Sequence, residues 1–224
     1  MELIRQEKYS SSTLQPTTAR YFVLIVVQIL RMQLSQLATR LEQEQNCELC
    51  FVDGLIETEC HKDMEGMSRG PYYTWCSMSP DNKYIDHDTA EQALNFVYDI
   101  IVEDGPFDGI MGFSQGANLA LTLLRRFPID QAWDSALASC KFGIFFSSVG
   151  VQEEQKDLAT LSIPSLHVFD DADSNVPMLA TRHCEPGSVK TLLHHSGHAI
   201  PRDRATVDSI LEAIQDLQHR SLGI

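Results

Sequence analysis

The chain has 224 residues, 31 acidic against 17 basic, and a formal net charge of −14. Its average field repels phosphate backbones and anionic membrane surfaces, which argues against nucleic acid or membrane as partners. The length suits one domain with a self-sufficient core, and six scattered cysteines in a 43% hydrophobic chain do not resemble a disulfide scaffold.

Residues 1–18 are polar and aperiodic and read as a loose extension ahead of a domain spanning 19–224. The apolar run from Tyr21 to Leu30 is ten residues long, whereas a membrane helix needs about 20. Its polar lead, with Glu2 and Glu7, also lacks a signal-peptide pattern, so the run is predicted as a buried first strand over 20–27. Leu30, Leu34, Leu37 and Leu41 recur at helical spacing and predict a core-facing helix over 30–45. A strand follows at 48–52. Cys47 and Cys50 form a C-x-x-C pair near Cys60 and His61, but structural zinc uses two tight ligand pairs. The cysteines are therefore expected as buried strand residues in a reducing, cytoplasmic setting, with no metal and no other cofactor.

The stretch 53–87, with Gly54, Gly66, Gly70, Pro71 and Pro80, is predicted as a long functional loop with little regular structure. Its aromatic cluster Tyr72, Tyr73 and Trp75 either lines an acyl pocket or pins the loop to the body. Beyond it come a helix over 88–103 capped by Asp88, a strand at 109–113, a helix over 115–127, and strands at 142–148 and 164–169. A helix over 174–183, a strand at 188–193 and a last helix over 203–219, capped by Asp203, complete the chain. Short apolar strands alternating with amphipathic helices predict an α/β fold, a mostly parallel sheet covered on both faces.

The chemistry is concentrated in Gly112-Phe113-Ser114-Gln115-Gly116, a G-x-S-x-G run between a predicted strand and a predicted helix. In that context the serine stands on a strained turn with its hydroxyl exposed, while the glycines let the two backbones approach. The helix opening at Gln115 offers backbone N–H groups and the positive end of a macrodipole to a developing oxyanion. A neutral hydroxyl needs a base oriented by a carboxylate, and in this fold the chain order is Ser, then Asp or Glu, then His. Asp170, Asp171 and Asp173 follow one strand, at the sheet end where α/β folds place their sites. Asp173 is selected because it lies deepest in the loop, before Val176-Pro177, whereas Asp170 and Asp171 read as solvated turn residues. His194, His195 and His198 follow the next strand, and His198, after Gly197 on a tight loop, is selected as the base.

At these residues the chain resembles the FSH family of serine hydrolases, small lidless α/β-hydrolases. The resemblance is carried by Gly105-Pro106-Phe107-Asp108-Gly109-Ile110 running into Gly112–Ala117, by Ile163–Val168 followed by Asp173, by His195-x-x-His198-x-x-Pro201, and by Gly70–Trp75. It implies a triad of Ser114, Asp173 and His198. Leu30–Leu37 and the G-P-Y-Y-x-W run are most similar to the branch associated with fungal secondary metabolism, which includes the thioesterase that releases the polyketide of the lovastatin pathway. The resemblance thus implies hydrolysis of a carrier-protein-bound polyketide thioester, with a polyketide synthase as partner, or of a related small-molecule ester.

Two departures from the family pattern carry weight. The family's first strand ends in L-H-G and a glycine-rich loop that supplies an oxyanion donor, whereas here Val26-Val27-Gln28-Ile29-Leu30 runs from strand almost directly into helix. Loss of one such donor lowers turnover by about 10² to 10³, so the rival to an enzyme is a catalytically impaired, hydrolase-fold binding protein. Asp170 also stands where the family has glycine. The expected mechanism is acylation of Ser114 with His198 as base, the Gln115 N–H as oxyanion donor, and Tyr72, Tyr73, Trp75 and Phe113 as candidates for the acyl-binding wall.

Overall fold

The structure is a computed structural model and describes residues 20–25, 28–59, 71–78, 85–126, 137–148, 158–172 and 181–221. Six strands form one sheet: β1 (Arg20–Ile25), β2 (Cys47–Val52), β5 (Gly109–Phe113), β6 (Phe142–Phe146), β7 (Ser165–Asp170) and β8 (Val189–His194). Their order is β2-β1-β5-β6-β7-β8, and every neighbouring pair is parallel. The chain thus winds outward from the centre in both directions, the α/β-hydrolase arrangement expected from the alternating pattern, and all strand C-termini share one edge.

Helices α1 (Gln28–Gln45) and α4 (Arg204–Ser221) cover one face, and α2 (His87–Asp104) and α3 (Gln115–Arg126) the other. Strand alternation divides the core accordingly. Ile110 and Phe145 pack with Leu94, Val97, Ala117 and Ala120, while Met111, Ile144 and Phe146 pack with Leu34, Leu37, Leu41, Ile210 and Ile214. Residues buried on both sides make β6 and β7 buried throughout, which explains the continuous apolar run of β6, while β7 also buries Ser165, His167 and Asp170. The leucines of α1 face the core as predicted at Leu34, Leu37 and Leu41, each about 1% exposed, and each such side chain is worth about 1.5–3 kcal/mol of burial. Arg40 bridges to Asp208 and Gln45 Nε2 donates to the Leu211 carbonyl, tying α1 to α4.

Several expectations need correction. The cap of α2 is Asp86, whose carboxylate accepts the Thr89 N–H at 2.9 Å; Asp88 lies in the first turn. Asp203 does cap α4, accepting from the Thr206 N–H at 2.9 Å. The regular structure described within 53–87 is slight, as expected, but it includes an antiparallel ribbon of β3 (Ile56–Thr58) and β4 (Tyr72–Thr74). Cys47, Cys76, Cys140 and Cys184 are buried and Cys50 is half-buried. Among the described residues no cluster of His, Cys, Asp and Glu could hold a metal ion, and no helix is long and apolar enough to cross a membrane. The extension 1–18, Cys60 and His61, and the helix expected over 174–183 as far as residue 180, lie outside the described residues.

Candidate active site

The parallel sheet delivers β5, β7 and β8 to one edge, and the groups of interest stand just beyond their last residues. Ser114 joins β5 to α3 with φ of +51°, a left-handed conformation that disfavours a side chain and marks a strained turn. The turn is held from both sides: the Ser114 N–H donates to the Phe146 carbonyl at 2.9 Å, and the Ser114 carbonyl accepts the Asn118 N–H at 3.1 Å. Gly112 is obligatory here for a steric reason, because a Cβ would come 2.4 Å from the Gly116 carbonyl oxygen and 2.6 Å from the Ala117 nitrogen. Gln115 opens α3, so its N–H lies at a helix N-terminus beside the nucleophile position, where the backbone donors point outward.

From 84 positions later in the chain, His198 brings Nε2 to 3.0 Å from Ser114 Oγ. That is hydrogen-bond distance for a base and its nucleophile. With its proton on Nδ1, the imidazole presents a free lone pair at Nε2 to the hydroxyl. The Phe113 ring lies against the imidazole, centroids 5.0 Å apart, and restrains its plane. Phe113 therefore stands beside the base, next to the position of the nucleophile.

The loop bearing His198 is held by groups that sequence reasoning undervalued. Asp170, read from the sequence as a solvated turn residue, is buried. Its carboxylate accepts the Gly197 N–H at 2.6 Å and the Ala172 N–H at 3.0 Å. These two donors hold its carboxyl below the usual carboxylate range. Gly197, at φ of +68°, provides the bend that turns His198 toward Ser114. His194 Nδ1 accepts the Ser196 N–H at 3.1 Å, and Gln33 of α1 accepts the Ile200 N–H at 3.1 Å. Burial pushes the His194 imidazole below its usual range, so it serves as a neutral acceptor and a loop support. His195 is exposed and pairs with Asp171 at 2.9 Å, away from Ser114. Asp173, the carboxylate selected as third member of the triad, lies outside the described residues.

The aromatic segment is placed residue by residue. Trp75 is only 1% exposed and packs in the core with Val52, Cys76 and Leu94, so it pins the segment to the body and is not a surface wall. The Gln115 side chain, whose role no local pattern signals, accepts the Thr74 hydroxyl at 2.6 Å and the Trp75 N–H at 3.3 Å through Oε1. Thr74 therefore faces the nucleophile turn. Strand alternation puts Tyr72 on that same face of β4 and Tyr73 on the reverse; both are half-buried.

Residues 26–210 match the family described as Serine hydrolase (FSH1). The chain is 27% identical to Hydrolase phiM of Talaromyces stipitatus over 207 residues, 85% of this chain and 82% of that protein. It is 29% identical to Esterase FPY3 of Fusarium mangiferae, covering 84% of this chain and 89% of that one, and 37% identical to human Esterase OVCA2 over half of each chain. Among solved structures, a carboxylesterase from Mesorhizobium loti superimposes with a TM-score of 0.62 at 16% identity, covering 89% of this chain and 90% of that one. At that identity the superposition establishes the α/β-hydrolase fold.

Proposed function

Given that the chain belongs to the FSH1 family of serine hydrolases and acts on ester bonds, we propose that Ser114 is its nucleophile and His198 its general base. The observation that carries the assignment is the 3.0 Å approach of His198 Nε2 to Ser114 Oγ on a strained, left-handed turn. His198 takes the hydroxyl proton as Oγ attacks the acyl carbonyl, then returns it to the departing alcohol or thiol. The Gln115 N–H receives the charge that develops on the carbonyl oxygen. Water, deprotonated by the same imidazole, releases the acid from the acyl-enzyme. Asp173 is assigned to orient His198 and support its positive charge, while Asp170 fixes the backbone of the loop.

The substrate we assign is an acyl thioester or ester of fungal secondary metabolism, with a polyketide on a carrier protein as the specific candidate. This rests on the similarity of Leu30–Leu37 and the G-P-Y-Y-x-W run to that branch of the family, and on relatives such as Hydrolase phiM and Esterase FPY3 being fungal. The test compares kcat/KM for p-nitrophenyl esters with that for acyl-carrier thioesters of matched chain length, using wild type and Ser114→Ala. A preference for the carrier thioester, abolished in the variant, supports the assignment; preference for the simple ester makes the protein a general carboxylesterase.

A second reading, a hydrolase fold kept for binding, has one observation in its favour. Only residues 26 and 27 separate the end of β1 at Ile25 from the start of α1 at Gln28, in line with the missing L-H-G and glycine-rich loop noted in the sequence. Turnover with an otherwise intact Ser114–His198 pair would then be lower by about 10² to 10³. Single-turnover acylation that is measurable but slow by this factor fits the missing donor, and no acylation in folded protein selects the binding reading.

A further inference from the structure

Resting on the assignment of Ser114 as nucleophile, we propose that the Gln115 side chain and Thr74 form a positioning tie that sets the acyl-chain selectivity of the site. The tie seats the β3–β4 ribbon beside the nucleophile turn. Gln115 is suited to this because its two ends face different tasks: the backbone N–H lies at the N-terminus of α3, and Oε1 collects two donors from β4 and the residue after it. The ribbon is also pressed against the body at Gly54, where a Cβ would come 2.4 Å from the Thr74 carbonyl oxygen. Behind it, the Trp75 indole is locked in the core. Thr74 thus has contacts on two sides, and the side chain two positions earlier on the same face, Tyr72, has its place set by the tie.

This face offers a substrate the Ile56 side chain and the Tyr72 ring, beside the hydroxyl-bearing Thr74 and Thr58. Ile56 pairs with Thr74 across the ribbon, so it shares the face with Thr74 and Tyr72, and both Ile56 and Tyr72 are half-buried. Leu55 and Met78, at 43% and 42% exposed, flank the ribbon's two strands. These are two of the four large hydrophobic side chains that stand out as exposed among the described residues. An extended apolar acyl chain packed along Ile56 and Tyr72 meets these contacts, whereas an acetyl group on Ser114 is too short to reach them. Selectivity for longer chains therefore depends on the ribbon's seating, and the acylation chemistry does not.

The experiment is a chain-length series of p-nitrophenyl acetate, butyrate and octanoate with wild type, Thr74→Val, Thr74→Ser and Tyr72→Ala. Thr74→Val keeps the shape and deletes the donor. The octanoate kcat/KM is expected to fall about fivefold to tenfold, the worth of one hydrogen bond, mainly through KM. The acetate value is expected to move less than about threefold, within what a site that does not touch the chain allows. Thr74→Ser restores the donor and the octanoate value, and in the Tyr72→Ala background Thr74→Val adds no further loss. Should Thr74→Val unfold, Thr74→Ala, which also deletes the donor, takes its place in the same comparison with Thr74→Ser and Tyr72→Ala. Equal losses for acetate and octanoate, or no loss for either, overturn the tie while leaving Ser114 in place. Failure of wild type to hydrolyse any of these esters or the acyl-carrier thioesters overturns the nucleophile assignment, and the tie falls with it.

Discussion

The left-handed backbone of Ser114 has a measurable price in stability, and comparing Ser114→Gly with Ser114→Ala isolates it. Both variants delete the hydroxyl and its contact with His198, so the difference between them reports only on the Cβ at φ of +51°. An L-residue held in this region costs about 1–2 kcal/mol. Glycine escapes that cost but loses about 0.5–1 kcal/mol more backbone entropy on folding. The Gly variant is therefore expected to be the more stable by about 0.5–1 kcal/mol, or about 1–3 °C in Tm for a domain of this size. The assay is paired thermal and urea unfolding of the two proteins at one pH, with both inactive. An Ala variant equal to or more stable than the Gly variant would show that the turn is not strained and remove the argument that activity is held at the expense of stability.

His167 and Asp170 both make the protein less stable as pH falls, in different windows. His167 is fully buried between Phe145 and Phe169, its Nε2 is 3.7 Å from Cys184 Sγ, and burial pushes its imidazole down to about 4. The unfolded chain therefore takes up this proton first, so stability falls as pH drops from about 6.5 toward 4, by about 3 kcal/mol in full. His167→Gln is expected to remove that part of the slope in urea unfolding, leaving the same-signed part due to His194; a curve parallel to wild type contradicts the assignment. Asp170, with its carboxyl held below the ordinary range, contributes above the usual carboxylate pKa, and that contribution is lost only as pH falls below about 4. Asp170→Asn keeps one acceptor for two donors, and is expected to lower kcat about tenfold with KM little changed by loosening the turn before His198. An unchanged kcat, measured with a short ester, rules out this support.

Most of the sheet was readable because strands buried on two faces are apolar throughout. The 142–148 run, FGIFFSS, has no other use in a chain of this charge. The ribbon was not readable. Its strands are three residues each and mix Glu57 and Thr58 with tyrosines, so neither period nor composition distinguishes them from loop. The α2 cap was misassigned because Asp86-His87-Asp88 offers two equivalent candidates, and only the Thr89 hydrogen bonds separate them. At the site, G-x-S-x-G with a later histidine on a glycine loop singled out Ser114 and His198, since the chemistry restricts the residue types, and the fold brings these two side chains to 3.0 Å. Asp170 was underestimated because a polar residue ending a strand usually meets water; its replacement of the family's glycine was the signal available. Gln115's side-chain role depends on a partner 41 positions away, which no local pattern encodes.

The central claim is most directly tested by locating a covalent adduct. After brief exposure to a fluorophosphonate, peptide mapping by mass spectrometry is expected to find one modification, on the peptide carrying Ser114, absent in Ser114→Ala and formed about 10² to 10⁴ times more slowly in His198→Ala. A modification at another residue, or labelling of His198→Ala at the wild-type rate, contradicts the account.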